Sequence, residues 1–234
     1  MQKTDVVVVV PTFNNPQSIE KVAQEVLAQG YWLIIVDDGS SQSVASVLSF
    51  SHPKMQILRH ETNRGKGAAI ITGAKEVRAR GKTFFASMDG DGQHLAGEIE
   101  KMLVAMDDGQ IIIGARNLGI TDVPNGSKFG RWFSNFWACW DTDQEITDSL
   151  SGFRVYPVSI LELPIKTERF DWEMEVLVRH AWKGGKIKEV SVECYYPRPE
   201  ERVSHFKKFW DTAAIVMVHV RLLPRKFFFG TKDA

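Results

Sequence analysis

Along the first 115 residues, short unbroken apolar runs alternate with segments whose apolar positions recur every three or four residues. That alternation predicts an α/β chain built of βαβ units around a mainly parallel sheet, flanked by helices. Residues 6–10 are five consecutive valines, as expected of a strand buried on both faces. Beyond Pro11-Thr12-Phe13-Asn14, Asn15 can cap a helix with Pro16 at its first position. Ile19, Val22, Ala23, Val26 and Leu27 carry its apolar stripe, and Gly30 closes it. Further strands are expected at 33–36, more weakly at 56–58, then at 83–88 and 111–113. Between them fall a helix over 68–80 and another marked by Leu95, Ile99, Met102, Leu103 and Met106. Later, residues 151–156 and 187–195 read as strands and 172–182 as a helix. Phe129, Trp132, Phe133, Phe136, Trp137 and Trp140 share one helical face, read here as a core stripe. The sharper alternative is an aromatic surface turned toward an acceptor or a membrane.

The polar residues sit where the apolar runs stop. Ligands of open α/β sheets bind beyond the carboxyl ends of the strands. Here one strand ends in Pro11-Thr12-Phe13-Asn14-Asn15, the next in Asp37-Asp38-Gly39-Ser40, and the fourth in Asp89-Gly90-Asp91-Gly92-Gln93-His94. One Asp-Gly is an ordinary turn. Acids at two strand ends, one of them an Asp-x-Asp, point to chemistry. Two carboxylates one residue apart on a tight loop can hold a divalent cation and leave positions open for phosphate oxygens. Such an ion converts the repulsion between acids and a diphosphate, about 4 kcal/mol per close contact at an effective dielectric of ~20, into a clamp. An EF-hand loop starting at Asp89 would need glycine where His94 stands. Asn63-Arg64-Gly65-Lys66-Gly67 is too short for a Walker loop and lacks its hydroxyl. An aspartate-nucleophile phosphatase would carry its Asp-x-Asp on the first strand.

Composition narrows the class. A chain of 234 residues and 26.5 kDa buries about 70% of its surface on folding, enough for one full core. Hydrophobic residues at 44% and charged residues at 25% argue against long disorder. Lys+Arg and Asp+Glu are both 29, which argues against a nucleic-acid binder. Cys139 and Cys194 form no CxxC pair. With no cleavable signal pattern and no clean apolar span of ~20 residues, a cytoplasmic protein is expected. The charge is uneven, however. Residues 201–234 hold seven bases and three acids, a net +4, so the first 200 residues carry −4. We therefore expect a domain over 1–205 and a basic, aromatic helical appendage over 206–234. That appendage suits either a helix lying peripherally on an anionic membrane face or one packed on the domain.

Taken together, the motifs resemble the family 2 glycosyltransferases of GT-A fold, in the branch of dolichyl-phosphate mannosyltransferase-like enzymes. The resemblance rests on Val-Pro-Thr-Phe-Asn at 10–14, Val-Asp-Asp-Gly-Ser at 36–40, Asn-Arg-Gly-Lys-Gly at 63–67 and Met-Asp-Gly-Asp-Gly-Gln-His at 88–94. Gly-Ala-Arg at 114–116, Asp148 with Ser-Gly-Phe-Arg at 151–154, and Trp-Glu-Met-Glu at 172–175 complete it. It implies an inverting hexosyltransferase. Pro11, Thr12, Phe13, Asn15, Asp38, Lys66, Asp89 and Gly90 would bind the UDP- or GDP-linked sugar. Asp89, Asp91 and Gln93 would hold Mg²⁺ or Mn²⁺. Arg116, Arg131, Arg202 and Lys207 would grip a lipid-linked, polyprenyl-phosphate-like acceptor, since guanidinium binds phosphate bidentately. Two departures stand out: Arg202-Val203-Ser204-His205-Phe206-Lys207 replaces a Gly-x-Ser-Lys pattern, and Asn15 stands where an acid often meets the base.

The acceptor decides the chemistry. A phosphate nucleophile is already anionic and needs only positioning. A hydroxyl on a glycolipid or glycan needs a carboxylate base. Glu175, with Glu173 in reserve, is the candidate, and the two fall on different helical faces. A sugar nucleotidyltransferase would instead carry a glycine-rich, basic loop after the first strand. A non-catalytic sugar-nucleotide-binding protein is the remaining alternative.

Overall fold

Four strands expected from the apolar runs form: β1 (Val6–Thr12), β2 (Trp32–Asp37), β3 (Met55–Arg59) and β4 (Phe84–Ser87). In the computed structural model, which describes residues 5–107, 109–116, 125–195 and 208–229, they pair in parallel. β5 (Ile111–Arg116), β6 (Arg154–Pro157) and β7 (Ile187–Val192) complete a seven-stranded sheet of order β3-β2-β1-β4-β6-β5-β7. β6 runs antiparallel to both β4 and β5. Chain order runs outward from β1 on one side, to β2 and β3, and on the other passes to β4. The β1/β4 boundary is thus a topological switch point, where a crevice opens at the strands' carboxyl ends.

The valine run shows why the first strand is wholly apolar. Successive side chains point to opposite faces of the sheet, and both faces are covered. Val7 and Val9 join a core with Ile70, Trp172 and Leu177. Val6, Val8 and Val10 join a second core with Val22, Val26 and Met102. The second core is closed by α1 (Ile19–Ala28), α2 (Val44–Val47) and α4 (Ile99–Val104), the last preceded by a 3₁₀ turn at Ala96–Glu98. The first is closed by α3 (Lys66–Ala79), α5 (Asn125–Thr142), α6 (Trp172–Trp182) and α7 (Lys208–Phe229).

Several expectations shift. The strand expected at 151–156 begins only at Arg154, because the wholly buried Arg154 side chain gathers the preceding backbone instead. Its guanidinium donates to the carbonyls of Ser149 and Ser151, each at 2.7 Å, and of Glu173 at 2.6 Å. The aromatic face of α5 does not line the core. Trp132, Phe136 and Trp140 are exposed, at 61%, 49% and 47%, while Phe133 and Trp137 are half-buried. The side chain of Phe129 lies outside the described residues. Polar residues take the inward face because each has a partner there: Ser134 meets Ser149 at 3.0 Å, and Asp141 Oδ2 meets His219 Nδ1 of α7 at 2.5 Å. α7 buries Ile215, Val218 and Leu222 in the core shared with α5 and α6. Among the described residues, no helix is long and apolar enough to cross a membrane.

Candidate functional site

At the carboxyl edge of the sheet the loop after β4 lies against the loop after β1. Ser18 Oγ donates to the carbonyl of Gly90 at 2.6 Å, and a side chain at Gly90 would stand 2.9 Å from Thr12 Oγ1. The loops after β1 and β2 are laced together in turn. The Asn14 amide donates to Ser40 Oγ at 2.9 Å, the Ser41 amide to Asn14 Oδ1 at 2.9 Å, and Asn15 Nδ2 reaches Thr12 Oγ1 at 3.4 Å. Pro11 and Thr12 are buried here, with Phe13 half-buried.

The two aspartates ending β2 divide their work. Asp37 is wholly buried; it accepts from the amides of Ser40 (2.9 Å) and Val44 (3.1 Å) and pairs with Arg59. Burial alone would raise its pKa, but the Ser40 and Val44 hydrogen bonds and Arg59 outweigh it, and the pKa is lowered. Asp38 accepts from the amides of Arg64 (2.9 Å) and Gly65 (2.8 Å), and its Oδ1 lies 2.7 Å from His60 Nδ1. Both its oxygens are engaged in holding loop 63–66. Gly65 crosses that loop with φ +109°, and a side chain there would meet the Glu168 carbonyl at 2.6 Å. Only glycine satisfies both demands.

That loop delivers Lys66 into the Asp-x-Asp corner. Its Nζ lies 2.6 Å from Asp89 Oδ1, and 3.0 and 3.1 Å from the two oxygens of Glu173 at the start of α6. Burial raises the pKa of Asp89, yet Lys66, His94 and Arg116 outweigh it and lower the value. For Asp91 the relief from Lys66 is too small. Burial and then the charge of Asp89 push it up to about 6, although the Gln93 amide donates to its Oδ1 at 3.0 Å. Burial pushes His94 down to about 4. Its neutral ring stacks on Phe153 with centroids 4.9 Å apart, and Nδ1 accepts from the Asp89 amide at 3.2 Å. His94 thus supports the loop from beneath. Among the described residues, no cluster of three or more His, Cys, Asp or Glu forms a ready-made metal cage. What the corner offers is hard oxygen donors carrying more negative charge than Lys66 neutralises, which fits a divalent cation that also binds phosphate.

Arg116 and Arg131 converge on one acid. Arg116 clamps Asp148 bidentately, Nε to Oδ2 at 2.8 Å and Nη2 to Oδ1 at 2.7 Å, and Arg131 Nε lies 3.9 Å from Oδ1. Asp148 is nearly wholly buried, and burial raises its pKa less than the Arg116 bonds lower it. Sequence reasoning placed Asp148 in a motif without a role, and Arg154 likewise. The partners of Asp148 come from the end of β5 (Arg116) and from α5 (Arg131), distant positions that no local pattern in the sequence links to it. Arg202 and Lys207 lie outside the described residues.

The two glutamates of α6 exchange the places expected of them. Glu173, the reserve, faces the corner. Glu175 is wholly buried and turned away from it: Oε2 accepts from the amides of Lys166 (3.0 Å) and Thr167 (2.9 Å), and Oε1 from Arg179 (2.7 Å) and Arg221 of α7 (2.8 Å). Burial raises its pKa, but Arg179 and these amides outweigh it and keep it ionised. With all its acceptor positions filled, Glu175 fastens α7 and the loop at 166–167 to α6. A free proton acceptor it is not.

With that geometry in view, similarity to known proteins is informative. Residues 7–159 match Glycosyl transferase family 2. The UDP-N-acetylglucosamine–dolichyl-phosphate N-acetylglucosaminyltransferase of Methanococcus voltae is 25% identical over 212 residues, covering 80% of this chain and 84% of its own. The undecaprenyl-phosphate mannosyltransferase of Micrococcus luteus is 23% identical over 201 residues, covering 80% and 82%. Among solved structures, mannosyl-3-phosphoglycerate synthase from Rubrobacter xylanophilus superposes with a TM-score of 0.72 at 15% identity, over 95% of this chain and 75% of its own. Glucosyl-3-phosphoglycerate synthase from Mycobacterium tuberculosis, in complex with Mn²⁺, UDP and phosphoglyceric acid, gives 0.66 at 15% identity, over 92% and 77%. The fold is therefore that of the GT-A glycosyltransferases, and the chain belongs to glycosyl transferase family 2, in the branch of the dolichyl-phosphate mannosyltransferase-like enzymes.

Proposed function

We propose that this glycosyltransferase moves a sugar, with inversion, from a UDP- or GDP-linked donor to a lipid-linked acceptor of polyprenyl-phosphate type. The observation that carries the reading is the pairing of two polar clusters at one sheet edge: Asp89 and Asp91 beside Lys66, and Arg116 with Arg131 on Asp148. The first suits a diphosphate donor. Asp89 and Asp91, with Gln93, would hold Mg²⁺ or Mn²⁺, which supplies charge neutralisation to the departing diphosphate. The loops bearing Pro11, Thr12, Phe13, Asn15 and Gly90, with Asp38 setting loop 63–66, would seat the nucleotide. The second cluster suits a phosphate nucleophile. Arg116 and Arg131, joined by Arg202 and Lys207, would orient it for in-line attack.

A specific observation favours phosphate over hydroxyl. Glu175 has no vacant acceptor position, and Glu173 is bound to an ammonium. A hydroxyl acceptor would need a free base, whereas a phosphate is anionic at neutral pH. Relatives named for dolichyl-phosphate and undecaprenyl-phosphate transfer support the same choice. A lipid acceptor brings the protein to a membrane face, and the exposed Trp132, Phe136 and Trp140 with the basic helix α7 suit peripheral contact there. Calorimetry with UDP and with GDP, with and without Mn²⁺, tests the donor half. Binding should require the metal and vanish in Asp91→Ala; metal-independent binding unaffected by that change refutes it. Product analysis with polyprenyl phosphate against the free polyprenol tests the acceptor half, and transfer to the alcohol alone refutes it.

A further inference from the structure

The ammonium of Lys66 engages Asp89 Oδ1, one of the oxygens a cation would need, at 2.6 Å. Its seat is built to hold it there. Asp38 fixes the preceding amides, and the Ala68 amide is tied to the Glu168 carbonyl at 2.8 Å. Phe170 presents its ring 5.8 Å away. Gly152 leaves room overhead: a side chain there would stand 2.4 Å from Nζ and 2.9 Å from Asp89 Oδ2. The Lys66 side chain is 12% exposed and shared between two carboxylates, Asp89 and Glu173.

We propose that Lys66 is an exchangeable counter-ion: it holds Asp89 while the donor is absent and passes to the donor's diphosphate when metal and nucleotide bind, with Glu173 as the residue that keeps it in place. This rests on the donor reading above. One ammonium carries a single charge against three carboxylates, those of Asp89, Asp91 and Glu173. A dication on Asp89 and Asp91 makes the Lys66–Asp89 bond redundant and repels the ammonium. The nearest new anion is then the diphosphate. Glu173, on α6 and not on the metal loop, holds Nζ through both its oxygens and retains the ammonium at the corner during the exchange. Lys66 therefore opposes metal binding by itself and favours metal with diphosphate. A purely structural lysine would not act with opposite signs on the two.

The test measures Mn²⁺ binding without nucleotide, by electron paramagnetic resonance of the free ion, and nucleoside diphosphate binding at saturating Mn²⁺, by calorimetry. Lys66→Met should bind Mn²⁺ alone about tenfold more tightly, the worth of one charge-assisted hydrogen bond, and UDP or GDP with Mn²⁺ about tenfold more weakly. Lys66→Gln should behave alike and guards against a folding defect in the first variant. Glu173→Gln should weaken binding of Mn²⁺ alone, since the ammonium then concentrates on Asp89, and should weaken it clearly less in the Lys66→Met background, where only the lost carboxylate charge acts. Weakening of both ligands by Lys66→Met and Lys66→Gln overturns the proposal, as does an equal Glu173→Gln effect in both backgrounds. Failure of the unaltered protein to bind Mn²⁺ and either nucleotide overturns the donor reading itself.

Discussion

Replacing Glu175 by glutamine separates a structural acid from a catalytic one. The substitution keeps the shape but removes the charge and turns one oxygen into an NH₂ donor. Four donors converge on this carboxylate: two backbone amides, Arg179 (4% exposed) and Arg221. Leaving a buried guanidinium without its counter-charge costs about 3–5 kcal/mol. At about 2–4 °C per kcal/mol for a chain of this size, the melting temperature should fall by about 6–20 °C. Because the folded pKa is depressed, the carboxylate stabilises the fold above its unfolded value. That stabilisation is lost only as pH drops through the lower folded value. The gap between variant and unaltered protein should therefore be full at pH 7 and close below pH 4. Differential scanning calorimetry reads the first quantity, and turnover of the still-folded variant at low temperature reads the second. Turnover should stay within a few-fold. An unchanged melting temperature with activity lost by a factor of ~10³ would refute the argument and restore Glu175 as a base.

Other outcomes follow from the same geometry. Asp91 has a raised folded pKa of about 6, so in metal-free protein it costs stability progressively as pH rises from about 4 through 6. Asp91→Asn should melt above the unaltered protein at pH 7.5 and level with it at pH 4, checked by thermal scans in chelator. Changing Trp132, Phe136 and Trp140 together to serine should shift stability by less than about 1.5 kcal/mol, since surface substitutions cost up to ~0.5 kcal/mol each. The same variant should lose co-sedimentation with anionic liposomes, and retained binding would refute the membrane contact. Asp38→Ala strands the Arg64 and Gly65 amides at a cost of about 1–3 kcal/mol. Hydrogen exchange in 63–66 should quicken and nucleotide binding weaken, while the exchange of β1 amides stays slow.

The apolar runs made β1, β2 and β4 readable because strands buried on both faces are held to apolar residues, while the half-buried edge strand β3 gave a weaker signal. The helix expected over 172–182 forms over those residues. Which face of it meets the crevice was not readable. Glu173 and Glu175 differ by two positions, so the pattern assigns them to different sides without ordering the sides. Only the arrival of Arg221 from α7 and of Lys66 from α3 decides. The aromatic face of α5 misled for a related reason. Apolar periodicity normally marks the inward side, yet here Asp141 and Ser134 find buried partners, in α7 and the loop before β6, that sequence distance conceals. Asp37 and Asp38 look equivalent in the chain. Backbone amides three and seven residues on for Asp37, and 26 and 27 residues on for Asp38, distinguish them.

The reversed direction of β6 has a further consequence. Its neighbours deliver their loops to the crevice on leaving the sheet, whereas β6 delivers its loop on the way in. Residues 148–153, carrying Asp148 and Gly152, thus reach the same rim from the opposite chain direction. The segment joining β5 to β6 both starts and finishes at that rim, and α5 lies within it. Under the proposed acceptor reading, insertions there would remodel what the sugar is handed to while the loops of β1, β2 and β4 stay untouched. If the proposed acceptor cluster is right, one inverted strand makes recipient choice a separable module, open to drift without disturbing the grip on the activated sugar.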